Sequence, residues 1–354
     1  MKTPVTILTG FLGSGKTTLL THLVTHVKDR RIAIVVNEFG EVGIDGNLIA
    51  STCGCEAGSL IELKNGCVCC TVQEEFLPTM KQLLHAAEPF DHILVETSGL
   101  ALPKPLLKAI NWPDLKPLLT VDAVLTVVDA DGLATGQICD RERVQKQREA
   151  DEELDHETPI EALFEDQLSC ADLVVLTKPD LVAPARLAEI KATLQQRLRP
   201  HIRIVEAERG HLAPAVALGL AANAEDDLAH RPSHHDGHHH HPHDHSHDHD
   251  HDHPPHDHAH DDAIDSVALQ PGPIANLKAY LQELAALCAA HEIYRVKGFL
   301  DIPGKPMRMV LQGVGKRFET YYDRPWRPDE VRQSYVVVIG AHVKAALQPA
   351  PVAH

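Results

Sequence analysis

Gly10-Phe11-Leu12-Gly13-Ser14-Gly15-Lys16-Thr17 follows the apolar run Val5 to Thr9 and precedes the helical pattern Thr18-Leu19-Leu20-Thr21-His22-Leu23. This is GxxxxGK[ST] in the strand, loop and helix context that gives the pattern its meaning. Glycines let the backbone curl until successive N–H groups point at a phosphate chain, and the next helix offers the positive end of its dipole to the same oxygens. Gly10, Gly13, Ser14, Gly15 and Thr18 therefore shape a phosphate cradle. Lys16 is expected to reach the β- and γ-phosphates. Thr17 is expected to give a hydroxyl to Mg2+, which takes hard oxygen ligands and keeps several waters.

Outward from this loop, short continuous apolar runs read as strands buried on both faces. Ile32 to Asn37 ends in Asn37-Glu38-Phe39-Gly40-Glu41, so acidic side chains stand at a strand end beside the phosphate loop. His92 to Glu96 ends in Glu96-Thr97-Ser98-Gly99, where a carboxylate approaches Mg2+ and the Gly99 N–H approaches the γ-phosphate. Val124 to Asp129 is the next strand. Leu173 to Thr177 runs into Thr177-Lys178-Pro179-Asp180, in which the Lys178 stem covers a base and Asp180 accepts two hydrogen bonds from guanine. That points to GTP. Asparagine is usual at the first position; Thr177 keeps one hydroxyl and loses the amide.

Five of the eight cysteines, Cys53, Cys55, Cys67, Cys69 and Cys70, fall within eighteen residues. In a reducing compartment such a cluster reads as metal ligands or redox thiols before disulfides. Asn65-Gly66 is a hairpin signal between Leu60–Leu63 and the strand-like Cys67–Val72, which puts Cys67 and Cys69 on one face and Cys70 on the other. Two thiolates completed by Glu38, Cys53, Cys55 or a histidine and three thiolates on one ion both remain open. Zn2+ or Co2+ takes four ligands in such surroundings. Cys139, Cys170 and Cys288 stand alone and read as packing residues.

The charged stretch Arg141 to Glu153 reads as a solvated helix, and Ala185 to Leu198 followed by Ile202 to Val205 continues the alternation. Between His230 and His260 lie sixteen of the twenty-six histidines, mostly alternating with Asp or Pro. Such a tract cannot build a core and binds divalent metals weakly and in number. Beyond it, a strand, an amphipathic helix from Pro273 to His291 and four further strands read as a small α+β unit. The expected organisation is an α/β P-loop NTPase domain with a mainly parallel sheet over 1–222. A disordered His/Asp-rich linker over 223–263, a small α+β C-terminal domain over 264–347 and a tail over 348–354 follow.

The 354 residues are 44% hydrophobic and carry 33 basic against 50 acidic side chains, a net charge of −17. The acidic balance argues against nucleic acid as a partner, since phosphate neutralisation needs a basic face. Acidic charge suits a protein that handles cations. No apolar run approaches a membrane span, and Met1-Lys2-Thr3-Pro4 leads straight into the first strand, so a cytoplasmic protein without membrane contact is expected.

Together these residues resemble the CobW family of P-loop GTPases almost end to end. The likeness rests on GFLGSGKTT at Gly10 to Thr18, NEFGEVGID at Asn37 to Asp45 and CxCC at Cys67 to Cys70. ETSGLA at Glu96 to Ala101, the TKPD box, the histidine tract and the C-terminal unit complete it. The stretches NGCVCCTV, ETSGLALP and LDHETPIEALFEDQL resemble the cobalamin-biosynthesis branch more than the zinc-handling one. The resemblance implies a GTP-dependent metallochaperone using GTP, Mg2+ and Co2+ or Zn2+, with Cys67, Cys69, Cys70 and Glu38 at the transition metal. It implies an acceptor protein, of which the cobaltochelatase of corrin synthesis is the expected one; dimer formation is open. No glutamine or arginine finger is assigned, so slow intrinsic turnover is expected. Three other readings compete: a zinc chaperone of the same family, a P-loop small-molecule kinase with a structural zinc site, and a histidine-rich metal store.

Overall fold

The computed structural model describes residues 2–37, 60–63, 76–139, 141–150, 158–220, 222–231, 264–314, 317–327 and 330–347. Glu38, Glu41, Cys53, Cys55, Cys67, Cys69, Cys70 and the histidine tract beyond Arg231 lie outside them, as does the second arm of the expected Asn65-Gly66 hairpin.

The first unit runs β1 (Thr3–Thr9), α1 (Lys16–His26), β2 (Ile32–Asn37), β3 (Leu60–Leu63), α2 (Leu77–Leu84), β4 (His92–Glu96), α3 (Pro103–Ile110) and β5 (Leu119–Asp129). It continues through α4 (Ala130–Ala134), α5 (Arg141–Ala150), α6 (Ile160–Cys170), β6 (Leu173–Thr177), α7 (Pro184–Arg197), β7 (Arg203–Ala207) and α8 (Pro214–Ala217). The strands form one seven-stranded sheet, ordered β3-β2-β4-β1-β5-β6-β7, with every pair parallel.

Period-two alternation explains how the sheet is covered on both faces. Leu8, Ile34, Leu94 and Leu125 pack against Leu19, Leu20 and Leu23 of α1. Their neighbours Ile7, Val35 and Val95 turn the other way, against Met80 of α2 and Leu106 and Leu107 of α3. A parallel sheet buried on both sides needs near-continuous apolar strands, and β4 and β6 are buried at every residue. A register shift between Val5 and Thr6 leaves Asp122 out of the ladder. Its carboxylate instead accepts from the Thr6 hydroxyl at 3.2 Å and from the Gly219 N–H at 2.5 Å.

The linker begins later than the composition implies. Residues 223–231, expected to be disordered, pack onto the sheet. Glu225 accepts from the Val121 N–H at 2.8 Å and from the Thr120 hydroxyl at 2.7 Å, and the fully buried Arg231 pairs with Asp172 at 2.5 Å. The correction has a simple cause, since one buried ion pair and one carboxylate on the Val121 N–H and the Thr120 hydroxyl offset the low hydrophobicity of the segment.

The second unit comprises β8 (Ile264–Leu269), α9 (Leu277–Ala290), β9 (Ile293–Leu300), β10 (Met307–Val314), β11 (Arg317–Pro325), β12 (Tyr335–Ala341) and α10 (Val343–Leu347). Its antiparallel sheet, ordered β11-β10-β9-β12-β8, is covered on one face by α9 through Leu284 and Cys288. The two units share a packed contact. Arg295, 6% exposed, donates to the carbonyl oxygen of Ala215 at 2.7 Å and to those of Leu218 and Gly219. Tyr294, Ile339 and Ala341 join the α1-side cluster of the first unit. No helix among the described residues is long and apolar enough to cross a membrane.

Candidate nucleotide site

The carboxyl ends of β1, β4, β5 and β6 converge where the strand order switches, with β4 to one side of β1 and β5 to the other; in open α/β sheets ligands bind there. The loop after β1 turns through Gly10, Gly13 and Gly15, all at positive φ, and Gly15 at φ 93 opens α1. No side chain caps that helix start and no acidic residue occupies its first turn. Its exposed N–H groups and dipole are thus kept for an anion. A Cβ at Gly10 would stand 2.2 Å from the Val127 carbonyl oxygen, and one at Gly99 would stand 2.6 Å from the Leu12 N atom. Both glycines are required by close backbone approach, and Gly99 is pressed against the loop it was expected to serve.

Lys16 is buried, and its ammonium donates to the carbonyl oxygens of Gly10 at 2.8 Å and Phe11 at 3.1 Å. The lysine is therefore folded back over its own loop. Thr17 donates its hydroxyl proton to Glu96 Oε1 at 3.0 Å. That leaves the Thr17 oxygen with lone pairs for a cation and places a carboxylate beside it, a hard-oxygen pair that fits Mg2+. Among the described residues the buried hydroxyls of Thr9, Ser14 and Thr97 find no hydrogen-bond partner, which fits a site whose polar lining is completed by phosphate and water.

At the other end of the site, Thr177 lies in register with Asp129, and its hydroxyl faces the Ser14 carbonyl oxygen at 2.6 Å and that of Val128 at 3.1 Å. Lys178 adopts the left-handed conformation, φ 55, and donates to Asp129 Oδ2 at 2.5 Å. Asp129 Oδ1 caps α4 through the Asp131 and Gly132 N–H groups, so this carboxylate fixes both the lysine and the helix start. Asp180 stands exposed on the Pro179–Leu181 turn, open to a base. The sequence reading missed Asp129 as the partner of Lys178; an Asp-x-Asp at a strand end signals the cap but not the contact 49 residues away.

The site thus brings Lys16, Thr17, Glu96 and Gly99 to one end and Thr177, Lys178 and Asp180 to the other, as a nucleotide spanning both would need. Comparison with known proteins shows the family. Residues 4–206 match the family model described as CobW/HypB/UreG, nucleotide-binding domain, and residues 264–349 match the cobalamin synthesis protein cobW C-terminal domain. The chain belongs to the CobW family. Among its relatives, a protein of Pseudomonas aeruginosa named zinc chaperone CobW is 49% identical over 98% of this chain and 89% of its own length. One of the same name from Sinorhizobium sp is 44% identical over 96% and 93%. The zinc chaperone YjiA of Escherichia coli is 30% identical over 95% and 93%. For this CobW-family chain the fold is a P-loop α/β domain followed by an antiparallel-sheet C-terminal domain. Among the described residues, no three His, Cys, Asp or Glu side chains are already arranged to hold a metal.

Proposed function

We propose that this chain is a GTP-dependent metallochaperone, hydrolysing GTP to GDP and phosphate and carrying a transition metal on Cys67, Cys69 and Cys70 with Glu38. One observation carries the reading. Val36 pairs with Glu96 and Asn37 with Leu63, so β2, β3 and β4 end at the same edge of the sheet as the phosphate loop. Glu38 follows β2 by one residue and Cys67 follows β3 by four, so both segments leave the sheet beside the γ-phosphate end. A nucleotide that orders these segments brings metal donors together, and hydrolysis releases them.

In this site Lys16 neutralises the β- and γ-phosphate charge, the Gly99 segment supplies an N–H at the γ-phosphate, and Thr17 with Glu96 holds Mg2+. The bound Mg2+ adds positive charge against the phosphates. Asp180 and Lys178 select guanine.

The names of the relatives support Zn2+ as cargo, and a zinc-accepting protein as the partner. The second reading, Co2+ delivery to a cobaltochelatase, is supported by the NGCVCCTV and ETSGLALP stretches. Imidazole and thiolate donors bind Zn2+ more tightly than Co2+, so cargo is set by supply and by the acceptor that docks.

The test uses Co2+ as a spectroscopic probe. The GTP–Mg2+ form should show a thiolate charge-transfer band and intense visible absorption of a four-coordinate site. Cys69→Ser should lower the charge-transfer intensity, serine in place of Cys67, Cys69 and Cys70 together should remove it, and Lys16→Ala should remove its dependence on GTP. An undiminished band with all three cysteines replaced by serine would sink the assignment of the thiols.

A further inference from the structure

Away from the nucleotide site, three imidazoles stand together. His22 and His26 lie one turn apart on α1 with ring centroids 4.0 Å apart, and the His211 ring centroid is 4.8 Å from that of His22. The i, i+4 spacing puts the first two on one helix face. His211 arrives because the Glu208–Gly210 turn after β7 is pressed against α1: a Cβ on Gly210 would stand 2.9 Å from Thr18 Cγ2.

Both α1 rings have one nitrogen committed to the backbone. His26 Nδ1 donates to the His22 carbonyl oxygen at 2.8 Å, and His22 donates to the Leu212 backbone. A carbonyl only accepts, so these nitrogens carry the proton and the other nitrogen of each ring keeps its lone pair. Ligating histidines are oriented in this way, the second nitrogen held by a backbone oxygen. The three lone pairs do not yet converge. Convergence takes rotation of the exposed His26 and His211 rings, and at His26 it gives up the bond to the His22 carbonyl.

We propose that His22, His26 and His211 form a second transition-metal site, separate from the cysteine motif, that binds Zn2+ through neutral imidazole nitrogens. Three imidazoles leave one tetrahedral position for water or for a donor from another protein. Because the ligands come from two elements, the bound ion fastens the phosphate-loop helix to the turn after β7. The site does not depend on nucleotide gating of the thiols.

The experiment acylates the full-length protein with diethyl pyrocarbonate and reads modification at each histidine by mass spectrometry. Free Zn2+ is fixed by a metal buffer, so the histidine tract of the same chain cannot deplete it. His85 is the internal control. It is exposed, its Nδ1 is tethered to the Lys81 carbonyl at 2.6 Å, and no histidine lies one turn away on its helix. His22, His26 and His211 should lose reactivity together, at free Zn2+ at least tenfold below that which affects His85. In His26→Ala, an exposed last-turn position, zinc protection of His22 and His211 should be lost while circular dichroism stays unchanged. Should that variant unfold, His211→Ala is read at His22 and His26 with the same expectation. Protection no easier than at His85, or undiminished protection in the folded variant, overturns the proposal.

Discussion

The Thr177 hydroxyl donates to the Ser14 carbonyl oxygen at 2.6 Å, tying the end of the base-reading strand to the phosphate loop. A hydroxyl has one proton, and here it is spent inside the protein. Thr177 is thus a brace, which leaves guanine selection, in the function proposed above, to Asp180 and Lys178. Thr177→Val keeps the shape and takes this bond from the buried Ser14 carbonyl, at a cost of about 1–3 kcal/mol. Thermal stability should fall and GTP and GDP should weaken by a common factor, with the GTP-to-ATP preference unchanged. Competition binding checks this, and an altered preference at unaltered stability would refute the brace.

Gly99→Ala places a methyl 2.6 Å from the Leu12 backbone nitrogen, a separation that real Cβ atoms essentially never show. The phosphate loop must move. Turnover of GTP should drop by at least an order of magnitude while the C-terminal unit keeps its fold. Gly136→Ala provides the comparison: a Cβ there meets nothing within 4 Å, though its φ of 76 makes the substitution mildly strained. Equal activity of the two variants would show that the loop tolerates displacement.

His92 is fully buried, contacting the Thr6 hydroxyl at 2.8 Å, and burial holds its pKa below the ordinary 6.5 despite the nearby Asp122. The unfolded chain then takes up the proton more readily than the folded one. Stability contributed by the neutral ring is present above 6.5 and is lost as pH falls below it. Urea unfolding between pH 5 and 7.5 should show this loss, limited for one group to about 1.4 kcal/mol per pH unit. A folded His92→Gln variant should have a shallower slope, and an unchanged slope would assign the effect to other groups.

Arg231 is the last described residue before the histidine tract. Deleting 232–260 should leave stability and GTPase activity intact and lower only the total metal bound, since imidazoles alternating with Asp and Pro offer donors in number. Arg231→Ala should destabilise, by up to about 3–5 kcal/mol, because buried Asp172 loses its nearer cation and keeps only Arg199 at 3.6 Å. Calorimetry of the two variants side by side checks both, and a stable Arg231→Ala protein would restore the earlier linker boundary.

Much of this architecture is legible before any coordinates, because its signals are local. The Gly10–Thr17 loop, the apolar runs of β1, β2, β4 and β6, and the acidic strand end at Glu96 each declare themselves within a few residues. What escapes are contacts made across the fold. Lys178 with Asp129, Thr177 with Ser14 and Arg231 with Asp172 join residues far apart in the chain, and nothing in the spacing of either partner names the other. The ordered segment 223–231 was hidden for the same reason: its hydrophobicity is low, and its anchors are single polar groups whose partners lie on β5 and at the start of β6.

The coupling of nucleotide to metal is the centre of the account, and one competition titration addresses it. Zn2+ affinity of the full-length protein is measured against a chelating indicator with GTP–Mg2+, GDP–Mg2+ and no nucleotide. One tight site per chain, at least tenfold tighter with GTP than with GDP, is expected; tenfold corresponds to about 1.4 kcal/mol of coupling. The same affinity in all three states would contradict a GTP-gated chaperone and return the cysteines to a structural or redox role.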